Sequence, residues 1–117
     1  MATHNDLGIT GEKLAASYLQ GLGHTILATN YRFRRSEIDI IYTEGELTVF
    51  CEVKTRTGKA YGLPEESITD RKVELFQQAA EEYMQHHKPG SEIRFDILSI
   101  TINGSKHDVF HIRDAFY

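Results

Sequence analysis

Leu7, Leu14, Tyr18, Leu19 and Leu22 recur at helical spacing near the start of the chain, and Gly21 and Gly23 end the pattern, as glycines do at a helix C-terminus. This spacing predicts a first helix over 7–22. The Gly-x-Gly that closes it lacks a third glycine, so it is no dinucleotide-binding fingerprint. Residues 25–33 read as a strand. Residues 36–43 alternate, which predicts Ile38, Ile40 and Tyr42 on one face and Glu37, Asp39 and Ile41 on the other. Glu44-Gly45 turns the chain. Residues 46–55 alternate again, with Leu47, Val49, Cys51 and Val53 opposite Thr48, Phe50, Glu52 and Lys54. Short turns between these three runs predict an antiparallel meander.

Gly58 to Pro64 reads as a loop, after which Thr69 is placed to cap a second helix over 70–87. Its apolar positions include Val73, Phe76, Ala80 and Met84, and Lys88-Pro89-Gly90 stops it. A strand follows over 92–102, and Asn103-Gly104 makes a hairpin turn into a strand over 107–112. A helix between the strands at 46–55 and 92–102 implies a right-handed crossover joining parallel neighbours. The predicted fold is therefore α/β, in the order α-β-β-β-α-β-β, with a mixed sheet flanked by helices. A chain of 117 residues supports one domain, 1–117, around a single core.

Composition narrows the class. Hydrophobic residues at 40% and charged residues at 26% exclude a disordered chain. No apolar run approaches the ~18 residues of a membrane span. The start has no apolar signal-peptide core, and one cysteine excludes a disulfide framework and fits a reducing cytoplasm. The expected location is cytoplasmic, with no membrane partner. A formal net charge of −4 argues mildly against a polyanionic partner. The distribution is uneven, however. Residues 31–59 carry six bases (Arg32, Arg34, Arg35, Arg56, Lys54 and Lys59) against five acids.

The candidate chemistry lies in that segment. Asp39 sits mid-strand between Ile38 and Ile40, where a carboxylate is costly unless something compensates it. Glu52 and Lys54 are two apart on the next strand and so share a face. Pairing about the Glu44-Gly45 turn brings Asp39 near Glu52. Adjacent carboxylates repel, and a hard divalent cation relieves that repulsion. A lysine beside such a cation can orient a water or stabilise charge on a phosphate. Metal-assisted phosphodiester hydrolysis requires this set of groups. A cross-strand Asp39–Lys54 ion pair on a solvated face fits the same spacing, and spacing alone does not choose between them.

A wider set of motifs does. Gly11-Glu12-x-x-Ala15-x-x-Tyr18-Leu19, Asn30-Tyr31-Arg32, Glu37-Ile38-Asp39-Ile40-Ile41, Val49-Phe50-Cys51-Glu52-Val53-Lys54-Thr55-Arg56 and Arg94-Phe95-Asp96-Ile97 resemble, in order, the bacterial YraN-like family. That family is similar to the PD-(D/E)xK nucleases and to archaeal Holliday junction resolvases. The resemblance implies a restriction-endonuclease-like α-β-β-β-α-β core, to which the last strand here adds a C-terminal hairpin. It also implies that Asp39 and Glu52 hold Mg²⁺ or Mn²⁺, with the Val53 carbonyl as a third ligand. Lys54 is then the catalytic lysine, and Glu12 reaches the metal from the first helix, directly or through water. Two positions depart from the pattern. Ile38 stands where the superfamily has proline, and Ser36 where the family usually has glycine.

The implied activity is metal-dependent endonucleolytic hydrolysis of DNA, on branched or otherwise structured substrates. The alternative is a nucleic-acid-binding module of nuclease fold that does not cleave alone, and a third reading makes Asp39, Glu52 and Lys54 an ion-pair network. Arg32, Arg34, Arg35, Arg56 and Lys59 are the candidate phosphate contacts. A homodimer would suit a two-fold symmetric junction, but no dimer surface can be read from the sequence. Glu37 is expected to pair with Arg32 or Arg35 more readily than to assist a metal. Lys72 is placed equally well to face the site or to be a plain first-turn residue. Cys51 is expected to be a buried small hydrophobe. His107 and His111 share a strand face, but two histidines without a third ligand make a weak metal signal.

Overall fold

A computed structural model of the chain describes residues 4–58 and 69–116. Helix α1 (His4–Gly21) leads into strands β1 (Thr25–Phe33), β2 (Ser36–Glu44) and β3 (Leu47–Thr57). Helix α2 (Asp70–His87) carries the chain to β4 (Ile93–Asn103), and β5 (Lys106–Ile112) follows. The strands form one sheet in sequence order. β3 and β4 are parallel, and the other neighbouring pairs are antiparallel. The predicted order, the meander and the parallel β3–β4 neighbours joined through α2 are all present, with α1 starting at His4 rather than at residue 7. Of the predicted loop, the residues after Gly58, Lys59 among them, lie outside the described residues. Among the described residues, no helix is long and apolar enough to cross a membrane.

Each face of the sheet is covered by one helix. On one face Ala15 and Leu19 of α1 pack on Ile40, Tyr42, Val49, Cys51, Leu98 and Ile100. On the other, Phe76, Ala79, Ala80, Tyr83 and Met84 of α2 pack on Ile38, Ile41, Phe50 and Ile97. Strands buried on both sides need apolar residues on both sides. That is why β2 carries Ile38, Ile40, Ile41 and Tyr42, all fully buried. Thr69 caps α2 as predicted, its side chain accepting a hydrogen bond from the Lys72 N–H at 3.1 Å. The cap fixes where the first turn of α2 begins, and Phe76 anchors the next turn in the core.

The alternation predicted for β2 breaks at Asp39. Ile40 and Tyr42 do face α1, but Ile38 packs with Ile41 on the α2 side. The cause lies in the neighbouring strand. Between the pairs Thr29↔Ile40 and Tyr31↔Ile38, Asn30 adopts a left-handed conformation with φ 53. Asparagine tolerates that region better than most residues. In β1 the same break leaves Ala28 and Tyr31, three apart, against one cluster. Period-2 reasoning assumes an unbroken pleat, and the pleat is interrupted beside the residue that matters most.

Candidate functional site

The site is built where β2 and β3 stop pairing. Their last ladder pair is Ile40↔Cys51. One residue further, Asp39 uses its side chain instead, and Oδ2 accepts the Val53 N–H at 2.8 Å. Glu52, next to Val53, is buried at 6% exposure. Its Oε1 accepts from the Lys72 Nζ at 2.7 Å and lies 3.7 Å from the Lys54 Nζ. Glu52 and Lys54 thus share the α2-side face of β3, as predicted. Glu12 arrives from the other side. Gly11 lies so close to β3 that a Cβ there would overlap the Thr55 side chain, and this close approach sets the next residue, Glu12, beside the fork.

One group of three carboxylates results, with a fourth, Glu52, beside it. Oxygens of Glu12, Glu37 and Asp39 lie within 4.8 Å of one another. Glu52 is near enough to raise both Asp39 and Glu12 electrostatically, but its own carboxylate is held by lysine. Burial and the negative charges of Glu52, Glu12 and Glu37 push Asp39 up to about 7, against the lowering effect of the Val53 hydrogen bond. Burial also raises Glu12, followed by Glu37 and Glu52, while a hydrogen bond from Asn30 works the other way. Lys54 is lowered, first by burial and next by the Lys72 ammonium, with Glu52 opposing. Carboxyl groups crowded until one resists ionisation are a donor set that a hard divalent cation would stabilise. The residues fit such a cation, with Glu37 added to the oxygen donors.

Glu37 makes the arginine pair expected of it, with Arg32 at 2.8 Å, and also lies among the carboxylates. The basic candidates are less uniform than expected. Arg32 is exposed but tied to Glu37. Arg34 lies over the Phe33 ring, 5.1 Å from its centroid, in a cleft lined also by Glu81 and Glu82 of α2. Arg35 is exposed in the β1–β2 turn, and Arg56 is half-buried near the end of β3. Cys51 is fully buried, and burial pushes its thiol well up, which fits a core residue and not a nucleophile.

A second polar centre lies under α1. Asp96, fully buried, accepts from the Tyr42 hydroxyl at 2.8 Å, from Arg94 at 2.8 and 2.9 Å, and from the Asp114 N–H at 3.1 Å. The His111 Nε2 lies 2.7 Å away. Arg94 also reaches Glu44, which pairs with His24. Burial alone would raise Asp96, but the hydrogen bonds from His111, Arg94 and Tyr42 outweigh it and hold the carboxyl well below its ordinary range. Sequence reading found Asp96 only as part of a motif. Its partners come from β2, β4, β5 and the C-terminal segment, and only Arg94, two residues away, is close in sequence. Lys72 was seen, but its contact with Glu52 depends on how α2 docks. Asn30 carried no signal beyond lying in a motif.

The family described as "Uncharacterised protein family UPF0102" matches residues 11–100, a span that contains Glu12, Asp39, Glu52, Lys54, Lys72 and Asp96. A UPF0102 protein of Flavobacterium psychrophilum is 40% identical over 117 residues, covering 100% of this chain and 98% of its own. One from Rhodococcus opacus is 42% identical over 118 residues, covering 99% and 100%. One from Dehalococcoides mccartyi is 43% identical over 111 residues, covering 94% and 92%. These similarities run the length of the fold and are not confined to one motif.

Proposed function

The chain belongs to the UPF0102 family, and from the site at the β2–β3 fork we propose that it is a metal-dependent endonuclease acting on DNA, with branched or structured DNA among the substrates to be tested. The observation that carries this reading is the grouping of Glu12, Glu37 and Asp39 within 4.8 Å of one another, with Glu52 and its lysines beside them at one fork in the sheet. Asp39, Glu12 and Glu52 would hold Mg²⁺ or Mn²⁺, with the Val53 carbonyl and Glu37 as further oxygen donors. A bound divalent cation supplies Lewis-acid polarisation of a phosphodiester and a more acidic water. The chain supplies the rest. Asp39 is fixed by the Val53 N–H, Glu52 is fixed by its lysines, and Lys54 is placed to orient water or to stabilise charge developing on the phosphate. Arg35 and Arg56 sit near the same end of the sheet and suit backbone contacts, which position a duplex without reading its sequence.

The test is a panel of linear, nicked, single-stranded and four-way-junction DNAs with Mg²⁺ or Mn²⁺, comparing wild type with Lys54→Ala. Cleavage by wild type that the variant loses, while keeping most DNA affinity, supports the reading. Equal cleavage by both overturns the role of Lys54. One observation favours a second reading, a nucleic-acid-binding module that does not cut alone. Lys72 already neutralises Glu52 at 2.7 Å, so the fork is partly balanced by its own side chains. Binding of the panel without cleavage of any member would select that reading.

A further inference from the structure

Glu52 is shared by two lysines from different elements. Lys54 comes from β3, two residues along the same strand, and its Nζ is 3.7 Å from Glu52 Oε1. Lys72 comes from the first turn of α2 and reaches the same oxygen at 2.7 Å. Two ammonium groups thus meet at one carboxylate oxygen. The one from α2 belongs to a side chain anchored at its base. Thr69 holds the Lys72 N–H, and Phe76, one turn on, is buried in the core. Lys72 is also the more exposed of the two, at 39% against 27% for Lys54. Its tip therefore lies between the buried carboxylate and solvent.

We propose that Lys72 exchanges partners. Without a divalent cation it holds Glu52, and once Glu52 turns to a cation the ammonium is released to a backbone phosphate of the nucleic acid. Lys72 is thus a positioning residue that links occupation of the fork to phosphate binding. The phosphate half of this inference rests on the nucleic-acid reading above. The Glu52 half does not.

The exchange has an opposite-sign signature that simple loss of structure cannot give. Lys72→Met removes a competitor for Glu52, so Mn²⁺ measured by calorimetry on the protein alone should bind roughly three- to tenfold more tightly, the size of one partly exposed charge contact. The same variant should bind a four-way DNA junction in Ca²⁺ roughly three- to tenfold more weakly, because one phosphate contact is gone. Lys72→Arg should stay near wild type in both measurements. Arg71→Ala, which removes the neighbouring exposed pair with Glu74, should change neither.

Weaker or unchanged Mn²⁺ binding by Lys72→Met overturns the exchange, as does an unchanged DNA affinity. If Lys72→Met fails to fold, Lys72→Gln carries the same two measurements. The nuclease reading fails separately. A wild type that cuts nothing in the panel, yet shows both opposite shifts, loses the enzyme and keeps the exchange.

Discussion

Gly11 of α1 rests directly against Thr55 of β3, so that a Cβ on the helix would overlap the threonine side chain. The helix is brought onto the strand at the point where Glu12 enters the fork. Gly11→Ala should therefore act on both stability and the site. Helix propensity alone would favour alanine by about 1 kcal/mol, but overpacking at a close contact costs typically 1–3 kcal/mol. The expected net result is lower stability by urea unfolding, together with weaker Mn²⁺ binding as Glu12 is displaced. A variant more stable than wild type would show that the contact yields without moving the helix.

Asp39→Asn should be stabilising in the absence of metal. Asparagine keeps an acceptor for the Val53 N–H and removes one of the crowded charges. The pH dependence fixes the sign. An acid raised to about 7 in the fold binds its proton more tightly folded than unfolded. Its ionisation therefore costs stability progressively from about pH 4, its unfolded range, up to about 7. The variant should gain on wild type across that interval and hold a constant lead above it. Urea unfolding at pH 5 and pH 8 measures the difference. Mn²⁺ should reverse the order at pH 8, since only wild type has the carboxylate to bind it.

Asp96 has the opposite dependence. Its carboxyl is held low by His111, Arg94 and Tyr42 against the effect of burial, so its contribution is present above the usual carboxylate range and is lost as pH falls below it. Asp96→Ala leaves Arg94 and Tyr42 without their buried acceptor and should cost about 3–5 kcal/mol at pH 7. The gap from wild type should narrow at pH 3. A gap that is constant with pH would mean that the carboxylate charge plays no part in holding this centre together.

Salt dependence separates the basic residues. Each phosphate neutralised on duplex DNA contributes about −0.9 to the log–log slope of affinity against salt. Arg35 is exposed, whereas Arg34 sits over Phe33 beside Glu81 and Glu82, which offset part of its charge. In Ca²⁺, Arg35→Ala should flatten the slope by about one unit and Arg34→Ala by less. The reverse ranking would place the DNA on the α2 side of the β1–β2 turn.

The order of elements was legible because each signal was local. The helical spacing before Gly21, the alternation through Val49 and Cys51, the Thr69 cap and the Asn103-Gly104 turn each decide their own stretch. So was the face shared by Glu52 and Lys54, since β3 keeps an unbroken pleat. Asp39 was found on the correct strand, but its neighbours Ile38 and Ile40 were assigned to a common face. The left-handed Asn30 that separates them acts from another strand. The Lys72–Glu52 contact and the partners of Asp96 other than Arg94 were hidden for the same reason. Their contacts span 15 to 54 residues of sequence and exist only after packing is complete.

The hydrogen bond from the Val53 N–H to Asp39 makes one backbone proton a spectroscopic probe of the fork. Its amide resonance senses whether the carboxylate opposite is ionised, protonated or drawn toward a cation. In an NMR titration this one signal should move with the ionisation of Asp39 near pH 7, and it should move again on adding a diamagnetic divalent ion such as Mg²⁺. The Asp39→Asn protein should show neither displacement. The state of the site can then be followed with no substrate present.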